Sequence, residues 1–119
     1  MMENRAKTII LDLDGTVFHH NGTLKEQILK PPILLPGIHE KFQEWEREGY
    51  NLIILTGRRE SMRDITERQL ESHGLAYDQL VMGVGGGKRY LINDNKSNGE
   101  ATAFAINVPR NKGLTEVSF

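Results

Sequence analysis

The sequence predicts an α/β fold on a mostly parallel sheet, and three observations carry that expectation. Short apolar runs suited to buried strands alternate with stretches of helical spacing, the connections between them are short, and several of the runs end in polar corners. At 119 residues the chain can build one core and is too short for two ordinary domains, so residues 1–119 read as a single domain.

The first strand is Ile9-Ile10-Leu11-Asp12-Leu13, broken by Asp14-Gly15-Thr16. Residues 18–30 are rich in turn formers and read as a loop or short hairpin, and Pro31, Pro32 and Pro36 exclude a regular helix interior. Pro36-Gly37 then opens a helix through Ile38, Phe42 and Trp45, at i, i+4, i+7 spacing, which stops at Gly49. Residues 50–55 form a second buried strand ending in Thr56-Gly57-Arg58. A further helix from about Ser61 to His73 sets Met62, Ile65, Gln69 and Leu70 along one stripe, with Gly74 closing it. Leu80–Val84 is a third strand, the glycines 85–87 a turn before Lys88, and Arg89–Ile92 a fourth strand ending in Asn93-Asp94-Asn95-Lys96. Ala101–Val108 suits an edge strand.

Composition narrows the function. Fifteen basic against 16 acidic residues disfavour a general polyanion binder, so no nucleic-acid binding is expected. The absence of cysteine removes disulfides, thiolate nucleophiles and cysteine-type zinc sites. Residues 1–7 have no apolar leader core and no apolar run approaches a membrane span, which makes cytoplasm the default compartment and a membrane partner unexpected.

Two carboxylates one residue apart at the end of an apolar strand require an explanation. On an extended strand Asp12 and Asp14 share a face, and like charges there repel unless a divalent cation or a shared proton intervenes. Asp-x-Asp-Gly-Thr could be a mere polar turn. In a parallel sheet, however, Thr56, Lys88 and Asp94 lie along the same edge, so five chemistry-bearing side chains can converge on one pocket. His19 and His20 are poor Mg²⁺ ligands and are expected to line the entrance.

This order resembles the haloacid dehalogenase superfamily of phosphotransferases. Asp12-Leu13-Asp14-Gly15-Thr16 matches its first motif, Ile54-Leu55-Thr56-Gly57-Arg58 its second, Lys88 its third, and Ile92-Asn93-Asp94-Asn95-Lys96 its acidic fourth. The resemblance implies a Rossmann-like, three-layer α/β/α domain. It also implies a Mg²⁺-dependent phosphatase that acts on a phosphate monoester through an aspartyl-phosphate. Asp12 would be the nucleophile and a metal ligand. Asp14 would be the acid and then the base, its backbone carbonyl meeting the metal. Thr56, Lys88 and backbone N–H groups near Leu13 and Gly57 would hold the phosphoryl group, and Asp94, with Asn95 as a neutral oxygen ligand, would complete the metal shell. Asn93 and Asn95 depart from the paired acids usual in the fourth motif, and Arg89 competes with Lys88 for the third.

About 40 residues separate Asp14 from Thr56 and are taken up by elements already assigned, as are those between Arg58 and Lys88. The chain thus resembles the capless subclass, whose open sites suit large substrates or are closed by neighbouring subunits. A homo-oligomer is possible, with Ile33-Leu34-Leu35 as a candidate contact, although a packed loop explains that run as well. A loose likeness to phosphatase-like proteins of surface-polysaccharide synthesis makes a sugar phosphate the first substrate to test. The competing readings are a receiver-like domain and a non-catalytic phosphate-binding module on the same type of fold.

Overall fold

In the computed structural model, which describes residues 5–119, β1 (Thr8–Asp12), β2 (Asn51–Leu55) and β3 (Gln79–Val81) form one parallel sheet in the order β1-β2-β3. Asp12 stands beside Leu55, and Leu55 beside Val81, so the three strands end level with one another. That common carboxyl edge is where an open α/β sheet binds ligands. The leader reading of residues 1–4 lies outside the described residues. Among those described, no helix is long and apolar enough to cross a membrane.

Three α-helices lie between the strands, and two of them are long. Helix α2 (Ile38–Arg47) buries Ile38, Phe42 and Trp45 at the predicted spacing. Helix α3 (Arg63–Ser72) follows a 3-10 turn over Glu60–Met62 and buries Thr66, Gln69 and Leu70. Arg63 donates to both carboxylate oxygens of Glu60, at 2.7 and 2.9 Å, and to the Leu80 carbonyl at 3.0 Å, tying the start of α3 to β3. The guanidinium bonded to Glu60 holds that carboxyl below its usual range. At the other end of α3, His39 pairs with the His73 carbonyl and the Phe18 and His73 rings meet at 5.7 Å, so α2 runs beside the α3 terminus. Leu11, Leu13, Val17, Phe18, Ile54 and Leu114 complete the core from the strands, the turn and the tail.

Residues 17–19 run antiparallel to 33–35 through the bonds from His19 N to Ile33 O and from Leu35 N to Val17 O, which realises the expected hairpin at its base. Its tip differs from the expectation, because residues 24–29 form a short helix, α1 (Leu24–Leu29), rather than a loop. Thr23 caps it by accepting from the Glu26 N–H at 3.2 Å, and Thr23-x-x-Glu26 is the spacing of a capping box. In Ile33-Leu34-Leu35, Leu35 is buried and Leu34 packs on the core, while Ile33 stays exposed.

The larger departure concerns the fourth and fifth strands, which do not form. Residues 83–102 are exposed throughout and carry no regular structure. They run out and back as an arm, with a turn at residues 96–99 and Asn93 donating to Thr102 across it at 2.8 Å. An apolar run becomes a strand only when an edge satisfies its backbone. Here Gly85-Gly86-Gly87 leads the chain away from the sheet, and β1, whose far edge has no neighbour among the described residues, is left unpaired there. The arm makes the molecule long, 50 × 30 × 25 Å with a radius of gyration of 15.2 Å, against about 13.5 Å for a compact chain of this length.

After the arm the chain returns and docks. Leu114 is buried and its N–H bonds to the Pro36 carbonyl at 2.9 Å. Gly113 has φ +82°, and a Cβ there would collide with the Pro36 carbonyl. Gly113→Ala is therefore expected to cost roughly 1–3 kcal/mol, read as a fall of several degrees in Tm. An unchanged Tm would show that the tail contributes nothing to the fold.

Candidate active site

The turn after β1 is built by hydrogen bonds that leave little freedom. The Leu13 carbonyl accepts from Thr16, Val17 and Phe18, Gly15 N bonds to Phe18 O at 2.7 Å, and Gly15 sits at φ +94°. A side chain at Gly15 would meet the stem of Arg110. The returning tail clamps the same turn from outside. Asn111 N donates to the Gly15 carbonyl at 2.8 Å, and the Asn111 side-chain oxygen accepts from His20 N at 2.7 Å.

This turn separates the two carboxylates that a regular strand would have placed on one face. Asp12, whose side chain is 41% exposed, accepts from the Thr16 hydroxyl at 3.3 Å and from Arg89 Nη1 at 3.0 Å. Asp14 is 14% exposed and turns inward to Arg58, which holds it with Nε on Oδ2 at 2.9 Å and Nη2 on Oδ1 at 2.8 Å. Gln27 of α1 adds a third donor to Oδ1. The repulsion expected between the acids is thus relieved by two arginines, one for each.

Arg58 is itself fully enclosed, and its remaining nitrogen bonds to Thr66 Oγ1 at 3.0 Å and Gln69 Oε1 at 2.6 Å. Gln69 donates onward to the Gln27 carbonyl at 3.0 Å. Among the described residues no buried side-chain polar atom lacks a partner. Closed polar networks of this kind hold their members in a single geometry. Gln27, Thr66 and Gln69 had no expected role in the site. The one signal in the sequence is Gln69, a polar residue placed on the apolar stripe of a helix.

The second strand supplies Thr56, buried, with its hydroxyl accepting from Arg58 N at 3.1 Å, so it closes a local turn two residues long rather than capping a helix. Gly57 lies where a side chain would press on the Gly85 carbonyl, which lets the glycine loop approach the sheet edge. The side chain that comes from that loop is Arg89 and not Lys88, which is exposed. Neighbouring residues of an extended chain point in opposite directions. Arg89 has the longer, forked head, and its Nη2 also lies 3.5 Å from the Gly85 carbonyl.

The metal half of the expected site is not assembled within the chain. Asp94 and Asn95 lie exposed in the arm, where the Asp94 carbonyl accepts from Thr102 at 2.6 Å. Among the described residues, no three Asp, Glu or His side chains are close enough to hold a cation. With Asp12 paired to Arg89 and Asp14 to Arg58, the donor set present does not fit Mg²⁺, which needs several oxygens in octahedral array. The expected convergence of Asp94 with Asp12 and Asp14 is corrected accordingly.

No family model matches the sequence, and no curated protein matches it significantly. Solved structures do match. A chain from a Pnkp1/Rnl/Hen1 RNA repair complex is 32% identical over 65% of this chain, with a TM-score of 0.57. A second structure of a Pnkp1/Rnl/Hen1 complex matches at 26% identity over 74% of this chain, with a TM-score of 0.58. The fold is that of the haloacid dehalogenase superfamily. A protein from Vibrio cholerae solved as an MCSG target, 22% identical, with a TM-score of 0.54 and coverage of 73% of this chain and 79% of its own, shows the same fold. This chain spans only 25% and 32% of the two chains from Pnkp1/Rnl/Hen1 complexes. Within the haloacid dehalogenase fold, residues 15–50 and 57–78 hold only α1, α2, a 3-10 turn and α3, and no cap domain is inserted in either place.

Proposed function

We propose that this chain is a phosphohydrolase that removes phosphate from a small monoester through an aspartyl-phosphate on Asp12. The observation that carries this reading is a half-exposed carboxylate at the carboxyl end of β1, held by one nitrogen of Arg89 and by a threonine hydroxyl. A carboxylate attacks a phosphoryl group only when the charge between the two anions is offset. Arg89 is placed to do so, one nitrogen on Asp12 while the other, weakly engaged by Gly85, can turn to a phosphoryl oxygen. One Asp12 oxygen bonds to phosphorus as the ester P–O bond breaks, and the leaving oxygen takes up a proton. Asp14 serves that proton transfer and then receives the proton of the water that hydrolyses the acyl-phosphate. Arg58 and Gln27 keep its carboxylate fixed two residues from the nucleophile. Thr56, Lys88 and the backbone at Leu13 and Gly57 remain candidate phosphate contacts.

The near balance of charge favours a small substrate over an RNA end, and a sugar phosphate is the first class to test. Mg²⁺ is the metal implied by the family resemblance. The decisive assay is phosphate release from a panel of phosphorylated sugars, an aryl phosphate and a terminally phosphorylated RNA oligonucleotide, each with Mg²⁺ and with chelator. Release from a small monoester is expected. A folded protein that releases nothing from any of them would refute the reading. Within the panel, Arg89→Ala is expected to cut turnover roughly 10²-fold or more, and Lys88→Ala much less. The reverse order would return the role to Lys88.

A further inference from the structure

The tail reaches the buried acid through a chain of hydrogen bonds that crosses the turn after β1. Asn111 is the one residue other than glycine with a positive φ among the described residues, at +62°, a conformation that asparagine adopts more readily than most side chains. From there its backbone N–H meets the Gly15 carbonyl at 2.8 Å. Its side chain takes both polar groups of the His20 backbone, accepting from the N–H at 2.7 Å and donating to the carbonyl at 3.3 Å. The bonds to the Leu13 carbonyl end at Phe18 and the hairpin bond at His19, so the His20 backbone is held from the tail.

The His20 carbonyl belongs to the same peptide unit as the Asn21 N–H. That unit is planar, so fixing its carbonyl fixes the direction of its N–H. The Asn21 N–H donates to Gln27 Oε1 at 2.5 Å. Because a backbone N–H only donates, the amide oxygen of Gln27 faces Asn21, and its amide nitrogen is left to donate to Asp14 Oδ1. Gln27 is 4% exposed, so its amide has little water to turn to.

We propose that Asn111 is a positioning residue for Asp14, acting through the peptide between His20 and Asn21 and through the Gln27 amide. This rests on the phosphohydrolase reading for the role of Asp14 and on the hydrogen bonds for the linkage. Asp14 Oδ1 accepts from Arg58 and from Gln27, whereas Oδ2 accepts from Arg58 alone. The remaining lone pair on Oδ2 is therefore the one that carries the proton. Loss of the Gln27 donor opens a second proton site, on the side of Asp14 that faces α1. Asn111 thereby selects the oxygen through which the acid and base work.

The test removes the side chain and spares the backbone, since glycine keeps a positive φ without strain. With an aryl phosphate, Asn111→Gly is expected to lower kcat about tenfold and leave kcat/KM within about twofold of wild type, because only hydrolysis of the intermediate needs the base. A fall of kcat/KM in step with kcat would overturn the assignment. Gln27→Met is expected to do the same, and the double variant to lose about tenfold rather than about a hundredfold, since the second change removes nothing more. Effects that multiply would show two independent residues and overturn the relay. The linkage is also read without catalysis. In Asn111→Gly the Asn21 N–H, which bonds to Gln27 and not to Asn111, is expected to exchange with solvent about tenfold faster than in wild type, while the Ile54 N–H of the central strand keeps its rate. Unchanged exchange at Asn21, or a rise matched at Ile54, would overturn the relay. A wild-type protein that releases no phosphate, beside a variant that shows the faster exchange, would refute the phosphohydrolase reading and leave the linkage standing.

Discussion

Replacing Asp12 by asparagine is expected to lower phosphate release by roughly 10³–10⁶-fold, the range lost when a covalent nucleophile is removed from an otherwise intact site. The amide keeps the size of the side chain and lacks the negative oxygen that bonds to phosphorus. Because Asp12 is half exposed at a strand end and not part of the core, the variant should unfold within a few degrees of the wild type. Steady-state assays beside thermal unfolding separate the two effects. Activity within tenfold of wild type would remove Asp12 from the role of nucleophile.

The second large effect is expected in stability. Arg58→Met removes the enclosed guanidinium that holds Asp14 by two bonds and links it to Thr66 and Gln69. Breaking a buried ion pair from one side leaves a charge without its partner, which costs about 3–5 kcal/mol. For a chain of this size that corresponds to a fall in Tm on the order of 10 °C or more. Asp14 would lose its orientation as well, so the activity of the surviving folded fraction should fall. Arg58→Lys is expected to recover little, because one ammonium cannot reproduce the fork. A Tm within about 2 °C of wild type would show that the pair is not structural.

The parts of the fold legible in the sequence are those whose pattern is local. Ile38, Phe42 and Trp45 marked α2, the apolar runs before Asp12 and Thr56 marked β1 and β2, and Gly15 marked the turn that the structure places at φ +94°. The residues 89–92 and 101–108 were misread because an apolar run states only that it can pair, while the neighbour it pairs with lies elsewhere in the fold or in another molecule. The site was legible to the same degree. Asp12 and Thr56 stand at strand ends that lie level with one another, while Asp14 turns inward to Arg58, and which of Lys88 and Arg89 reaches Asp12 depends on how the glycine loop leaves β3. The partners of Asp14 were hidden for a different reason. Gln27 lies 13 positions from it and Arg58 44, and Gln69, which holds Arg58, reaches Gln27 only through the bond from its side chain to the Gln27 carbonyl across α1 and α3.

The central claim is that Asp12 carries the phosphoryl group. The most direct measurement uses Asp14→Asn, because loss of the base slows hydrolysis of the intermediate while a good leaving group needs little protonation. Asp14→Asn leaves the enclosed Arg58 without its anion and is expected to lower Tm, so the protein is held below its own unfolding transition. Mixed there with an aryl phosphate, quenched in acid and digested, it should yield one peptide bearing a phosphoryl group, and fragmentation should place it on Asp12. A phosphoryl group on another residue, or none despite phosphate release by the wild-type protein, would contradict the account.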